Sequence, residues 1–315
     1  MAASIPFSHI SVLLGECIES LDIRNGYTYV DCTTGGGGHS LEIAKRLGPD
    51  SRLICFDRDE NAIAAAKERL KDYLDKITFI NSNFSELDNI INELNITNLG
   101  GVLADLGCSS FQFDCPERGF SYMHNAKLDM RMQIDAPLSA YNVVNEYSES
   151  ELKRIIYDYG EERFAPKIAS AIVKARVNKP IETTFELSDI IKYAIPPAAR
   201  ADGPHPAKRT FQAIRIEVNA ELDTIRPMIT SAAKHLVPGG KIAVISFHSL
   251  EDRLVKLSYK ELSQGCVCPR DFPICVCGKK PLIKETHKKP ILPSAEEIEN
   301  NPRSRSAKLR VAEKL

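Results

Sequence analysis

The chain has 315 residues, 43% hydrophobic and 26% charged, with a net charge of -1. That length suits two domains at about 100 to 200 residues each, and the balance is that of a globular protein, not a disordered or fibrous one. No apolar run approaches the roughly 18 residues of a membrane span, and the opening MAASIPFSHISVLLGE lacks a basic segment leading into an apolar stretch, so no membrane and a cytoplasmic location are expected.

The first strand is predicted in YTYVDC and runs into TTGGGGHSLEIAKRL, where four consecutive glycines precede a helical pattern. Glycine loses more conformational freedom on folding than any other residue, so such a run must permit something a side chain would forbid. The expected occupant is a ligand pressed against bare backbone where a helix begins. No lysine follows the glycines, which argues against a triphosphate loop. RLICFD, ITFINS and GGVLADLG are further strands, the first two separated from their predecessors by helical SLEIAKRL and ENAIAAAKERLKDYL. Strand and helix in alternation predict an α/β fold with a parallel sheet. Asp57 ends the second strand, twenty-two residues after Gly35, where a carboxylate can hold both hydroxyls of a ribose. Phe84 follows the third strand and either covers an adenine or fills the core. Asp105 ends the fourth, with Ser109 and Ser110 just beyond.

From about Ser110 to Ala207 the rhythm turns helical, in ESELKRIIYDYG, APKIASAIVKARV and FELSDIIKYAI. Strands return in GGKIAVISF and SAKLRVAEK, so an insertion into one sheet domain is expected. Residues 1–110 and 208–315 would form the sheet domain and 111–207 the inserted one. RGFSYMHNAKLDMRM mixes aromatics, methionines and arginines as either a mobile lid or a satellite core does. In HPAKRTFQAIRIEVNAEL the apolar Phe211, Ile214, Val218, Leu222 and Ile225 recur at helical spacing. Lys208, Gln212, Arg215 and Asn219 form the adjoining stripe, suited to phosphate or base contact or to a domain-interface hydrogen-bond network. In SFHSLEDR, Ser249 and Asp252 are spaced as a capping box.

Five of the nine cysteines are scattered singly, which excludes a disulfide framework. The other four, Cys266, Cys268, Cys275 and Cys277, lie in CVCPRDFPICVC. Four thiolates suit tetrahedral zinc, but the gaps are tighter than the usual two to four residues. The expectation is a reduced hairpin without metal.

DCTTGGGGHS, ADLGCSSFQFD, ERGFSYM, LDMRM, YGEERFAPKIASAIV, HPAKRTFQAIRIEVNAEL, ISFHSLEDR and NPRSRSAKLRVAE together resemble the bacterial 16S ribosomal RNA cytosine-N4 methyltransferase family of the MraW type. The resemblance runs from about His9 to Glu313. It implies a class I Rossmann-like methyltransferase sheet with an inserted helical domain, S-adenosyl-L-methionine as cofactor, and a cytidine in the decoding region of 16S rRNA within the small ribosomal subunit as acceptor. It places cofactor contacts on Gly37, Gly38, His39, Asp57, Phe84, Asp105 and Gln112, and Asp105 is the candidate catalytic residue. DLGCSS keeps the Asp of the D-P-P-Y turn of many amino-methyltransferases but has neither its prolines nor its aromatic, for which Phe111 or Phe113 can substitute. Methylation at C5 of the base would need a thiolate to add at C6, and Cys108 is the available thiol. Methylation at N4 needs only orienting groups, which favours Asp105. A dehydrogenase would share the first two strands but has no use for a basic insertion. A non-catalytic RNA-binding protein has no use for the glycine turn and Asp57.

Overall fold

The computed structural model describes residues 11–108, 112, 115–200, 205–269, 274 and 276–315. Its strands are β1 (Thr28–Asp31), β2 (Arg52–Asp57), β3 (Ile77–Asn81), β4 (Leu99–Asp105), β5 (Leu236–Ser246), β6 (Ile283–Glu285) and β7 (Lys308–Lys314). They form one seven-stranded sheet in the order β3-β2-β1-β4-β5-β7-β6. Neighbours among β1 to β5 run parallel, whereas β7 is antiparallel to both β5 and β6. The chain winds outward from β1 to β3 and then returns to place β4 on the other side of β1. The crevice at the carboxyl ends of β1 and β4 is therefore the topological switch point, where open α/β sheets bind ligands.

Side chains alternate between the two faces of the sheet, and both faces are buried, as a parallel sheet requires. On one face Val30, Ile54, Phe56, Val102 and Val244 pack with Leu87, Ile229 and Tyr259 from the helices. On the other Tyr29, Leu53, Cys55, Leu103 and Ile245 pack with Ile18, Leu21 and Ile43. Asp252 in the helix Ser249–Ser263 accepts from Arg310 Nε at 2.6 Å and Lys308 Nζ at 3.3 Å, which ties the helix to β7. Two of the basic residues of RSRSAKLR are thus spent inside the sheet unit. The box that opens this helix lies one residue earlier than expected. His248 is the cap, its ring accepting from the Glu251 N–H, and Glu251 accepts from the His248 N–H.

The chain divides into two compact units, Met1–Gly107 with Leu222–Leu315, and Cys108–Glu221. The second is helical, with Ala140–Glu146, Glu149–Asp158, Ala165–Asn178, Thr184–Ala194 and Lys208–Asn219 as its longer helices. Reciprocal capping boxes, Ser139 with Asn142, Ser148 with Glu151 and Thr183 with Glu186, fix three of their starts. The sequence assigns Lys208–Asn219 to the sheet domain; the structure places it in the helical unit instead. Its stripe of Phe211, Ile214 and Val218 is buried there with Leu152, Ile155, Ile168 and Leu187. Periodicity shows that a helix has a buried face but not which core receives it.

Three residues of the polar stripe make hydrogen bonds inside that unit. Gln212 donates to the Tyr159 carbonyl at 3.2 Å, Arg215 forms a two-pronged pair with Glu221 at 2.9 Å, and Asn219 accepts from the Met132 N–H at 2.8 Å. Phe120, Met130 and Met132 are buried in the same core. Arg131 is paired with Asp129, and Arg118 donates to the Arg131 carbonyl. Of the two alternatives for RGFSYMHNAKLDMRM, the packed core is the one found.

Candidate active site

Three carboxyl groups stand at the carboxyl ends of adjacent parallel strands, Asp31 on β1, Asp57 on β2 and Asp105 on β4. Asp31 is buried, accepting from the Ser40 hydroxyl at 2.6 Å and from the Thr33 N–H at 3.1 Å. Burial outweighs those bonds and pushes its pKa up to about 6. Asp57 is likewise pushed to about 6 by burial, against hydrogen bonds from the Asp59 and Gly35 N–H groups. Those bonds measure 2.9 and 2.8 Å, one to each carboxylate oxygen. The end of β2 is thereby fastened to the glycine loop, and each oxygen retains a lone pair for a further donor.

Asp105 is the most strained of the three electrostatically. Burial, then Asp31, then Glu251 raise its pKa well above the ordinary carboxyl range. Its backbone N–H donates to the Thr33 hydroxyl at 2.6 Å, but its buried Oδ1 has no hydrogen-bond partner. No Lys or Arg pairs with any of the three among the described residues. Buried charges are ordinarily paired, so a donor or cation supplied from outside fits this crevice.

His39 is buried beside Asp105, its Nδ1 3.9 Å from Oδ2. Its Nε2 lies 3.0 Å from the Val12 carbonyl, and burial lowers its pKa to about 4. A carbonyl only accepts, so the ring is neutral, with its proton on Nε2 and a lone pair on Nδ1. The contact with Asp105 is therefore no ion pair near neutral pH. The His39 Nε2–H holds the segment before the helix Leu14–Leu21.

The glycine run has an internal cause as well. Gly35 and Gly37 have φ of 50° and 77°, which favours glycine at both. A Cβ on Gly37 would meet Ala66 Cα at 3.3 Å, and one on Gly38 would collide with the Ser11 hydroxyl. The bare backbone thus accommodates neighbouring chain at Gly37 and Gly38. A ligand is not needed to explain those two glycines. Phe84 sits in the turn Phe84–Glu86 after β3, partly buried against the core that contains Phe56 and Leu87. Gln112 is buried and lies in the helical unit, as does Cys108, which is partly buried against that unit's core. Ser109, Ser110, Phe111 and Phe113 lie outside the described residues.

The sheet therefore brings together Gly37, Gly38, His39, Asp57 and Asp105. Sequence reasoning passed over Asp31 and Glu251. Asp31 carried the same signal as Asp57 and Asp105, an acidic residue at the end of a predicted strand. Glu251 accepts from the Phe247 N–H at 2.8 Å and is buried. Its influence on Asp105 arises only once β4 and β5 are paired.

A mostly parallel sheet of this order, with carboxyl groups at its switch point, is a Rossmann-like α/β fold. The chain belongs to the MraW methylase family, whose model matches residues 6–315, and S-adenosyl-L-methionine is the methyl donor. It is 57% identical to the ribosomal RNA small subunit methyltransferase H of Clostridioides difficile over 98% of this chain and 99% of that one. The protein of the same name from Brevibacillus brevis is 53% identical over 99% of each. That from Clostridium botulinum is 56% identical over 98% of this chain and 99% of its own. No described helix is long and apolar enough to cross a membrane.

Proposed function

We propose that this enzyme methylates the N4 amine of a cytidine in the decoding region of 16S rRNA, within the small ribosomal subunit and in the cytoplasm. The names of its relatives support a small-subunit RNA substrate. The observation that carries the chemistry is the buried, unpartnered Oδ1 of Asp105 among two further carboxyls. S-adenosylmethionine is a sulfonium with an α-ammonium group, and it brings positive charge to carboxyls that no Lys or Arg pairs with among the described residues. Asp57 holds the ribose hydroxyls. Gly37 and Gly38 line the approach of the methionine end, His39 contacts that end through its Nδ1, and Phe84 flanks the adenine. Gln112 is a further cofactor contact implied by the family resemblance, and residues 111–207 serve substrate recognition.

For transfer to N4, the exocyclic amine must be turned so that its lone pair leaves conjugation and points at the methyl carbon. Proximity and fixed electrostatics supply most of the barrier reduction, with no covalent intermediate. Asp105 is the acceptor that orients the amine.

Cys108 then has no covalent part to play. Cys108→Ala is expected to retain most activity, and digestion of the product to nucleosides should yield N4-methylcytidine. A folded, donor-binding Cys108→Ala protein without activity, together with 5-methylcytidine from the wild type, would replace this assignment by C5 methylation.

The raised carboxyls also predict proton release. Asp31 and Asp57 rise from 3.8 to about 6 on folding. In the ligand-free protein they stabilise the fold at acid pH, and that contribution disappears as pH rises through about 6. A cationic donor favours the ionised forms, so its binding has the opposite pH dependence. Donor affinity should strengthen between pH 5 and 7, by up to about tenfold per pH unit for each proton released. Calorimetry in two buffers of different ionisation enthalpy measures the protons; equal heats and a flat affinity would mean that the donor's charge does not face these carboxyls.

A further inference from the structure

Between the helix Ser249–Ser263 and β6 the chain makes a loop whose base is closed by the Leu282 N–H donating to the Leu262 carbonyl at 2.9 Å. Among its described residues the apolar Val267, Ile274 and Val276 are 51%, 74% and 73% exposed. The sulfurs of Cys266, Cys268 and Cys277 nevertheless converge, all within 4.8 Å of one another. The Cys266 and Cys277 sulfurs are 3.7 Å apart, far beyond the roughly 2.05 Å of a disulfide bond. Thiolates bound to zinc at about 2.3 Å in a tetrahedron stand about 3.8 Å from one another, so the observed spacing is that of two ligands on a shared metal.

The backbone around these sulfurs is arranged for negative charge. The Val267 N–H donates to the Cys277 sulfur at 3.5 Å, the Cys268 N–H to the Cys266 sulfur at 3.4 Å, and the Val276 N–H to the Cys268 sulfur at 3.4 Å. Each of the three sulfurs thus accepts one N–H. Such bonds orient the remaining sulfur lone pairs, as outer partners of metal ligands do. The one-residue gaps that argued against a metal are what permit this. In each C-x-C turn, the intervening valine supplies an N–H to a sulfur of the other turn.

We propose that Cys266, Cys268 and Cys277 bind a structural zinc ion that orders this loop. Zinc is the fitting cation because soft thiolates select it and cysteines hold it at structural sites. The thiols give up their protons on binding, so metal affinity falls at acid pH. The binding energy of the ion becomes ordering energy for the segment. Cys275 completes the sequence pattern and lies outside the described residues.

The full-length protein, purified under reducing and chelator-free conditions, is analysed for metals and for hydrogen exchange before and after chelation. About one equivalent of zinc per chain is expected, with chelation accelerating exchange in residues 265–280 ahead of the sheet unit. The Cys266→Ser, Cys277→Ser double variant should lose the metal while donor binding persists. Replacement of the zinc by cobalt(II) should give the thiolate-to-metal absorption of a tetrahedral site, a readout that does not depend on any variant folding. No bound metal, iron in place of zinc, a disulfide found by thiol titration, or full zinc retention in the double variant would each overturn the proposal.

Discussion

Asp105→Ala is expected to lower the rate of methyl transfer by about a hundredfold or more, the range for loss of one preorganised electrostatic contact. The substitution removes only the carboxyl group. The backbone N–H that donates to Thr33 at 2.6 Å remains, as does the pairing of β4 with β5. Stability should hold or rise, because the wild-type carboxyl is buried with an unpartnered oxygen and pressed by Asp31 and Glu251. A thermal melt alongside single-turnover kinetics checks both halves. Asp105→Asn separates shape from charge: it keeps the size and one acceptor oxygen but cannot ionise. Wild-type rates in both variants would remove Asp105 from the mechanism.

Asp57→Ala is expected to weaken S-adenosylmethionine binding by about 1.5 to 3 kcal/mol, the range for hydrogen bonds to a charged group. Calorimetry on folded protein would show this as a Kd about ten- to 150-fold higher. The carboxylate also fastens the Gly35 and Asp59 N–H groups. Hydrogen exchange in the glycine loop should accelerate in the same variant while the sheet core stays protected. Asp57→Asn keeps an acceptor for one of those N–H groups but loses the charge, and should fall between wild type and alanine. Unchanged affinity in Asp57→Ala would place the ribose elsewhere.

The strands of the central sheet were legible because their apolar runs are short and bounded by turn residues, and because helices separate the first three. β6 was not, since Ile283–Glu285 is three residues long and buries only Ile283. β5 starts at Leu236, ahead of the predicted run, where a register shift against β4 accommodates the added residues. Such a shift leaves no periodic trace. Lys208–Asn219 was legible as an amphipathic helix but not as part of the helical unit, because its stripe reports burial and says nothing of the partner. The box at Ser249 and Asp252 was displaced by one because a histidine ring, not a hydroxyl, accepts at the cap.

Within the site, Asp57 and Asp105 were readable as acids at strand ends. What makes them unusual was not. The raised pKa of Asp105 comes first from burial and then from Asp31 and Glu251, which the sheet order brings close from distant parts of the chain. The reason for Gly38 was also hidden, since the Ser11 hydroxyl that excludes a side chain there comes from a segment with no recognisable pattern. In the cysteine loop, spacing alone argued against metal, whereas the cross-turn N–H contacts that favour it belong to three-dimensional structure.

The central claim is tested most directly by incubating the enzyme and S-adenosylmethionine carrying a labelled methyl group with small ribosomal subunits from cells lacking this protein. The rRNA is then fragmented and digested to nucleosides. The account predicts label in a single decoding-region fragment of 16S rRNA, recovered as N4-methylcytidine and absent when subunits come from cells that contain the enzyme. Label recovered as 5-methylcytidine, label outside that fragment, or no transfer to rRNA by folded, donor-binding enzyme would contradict it.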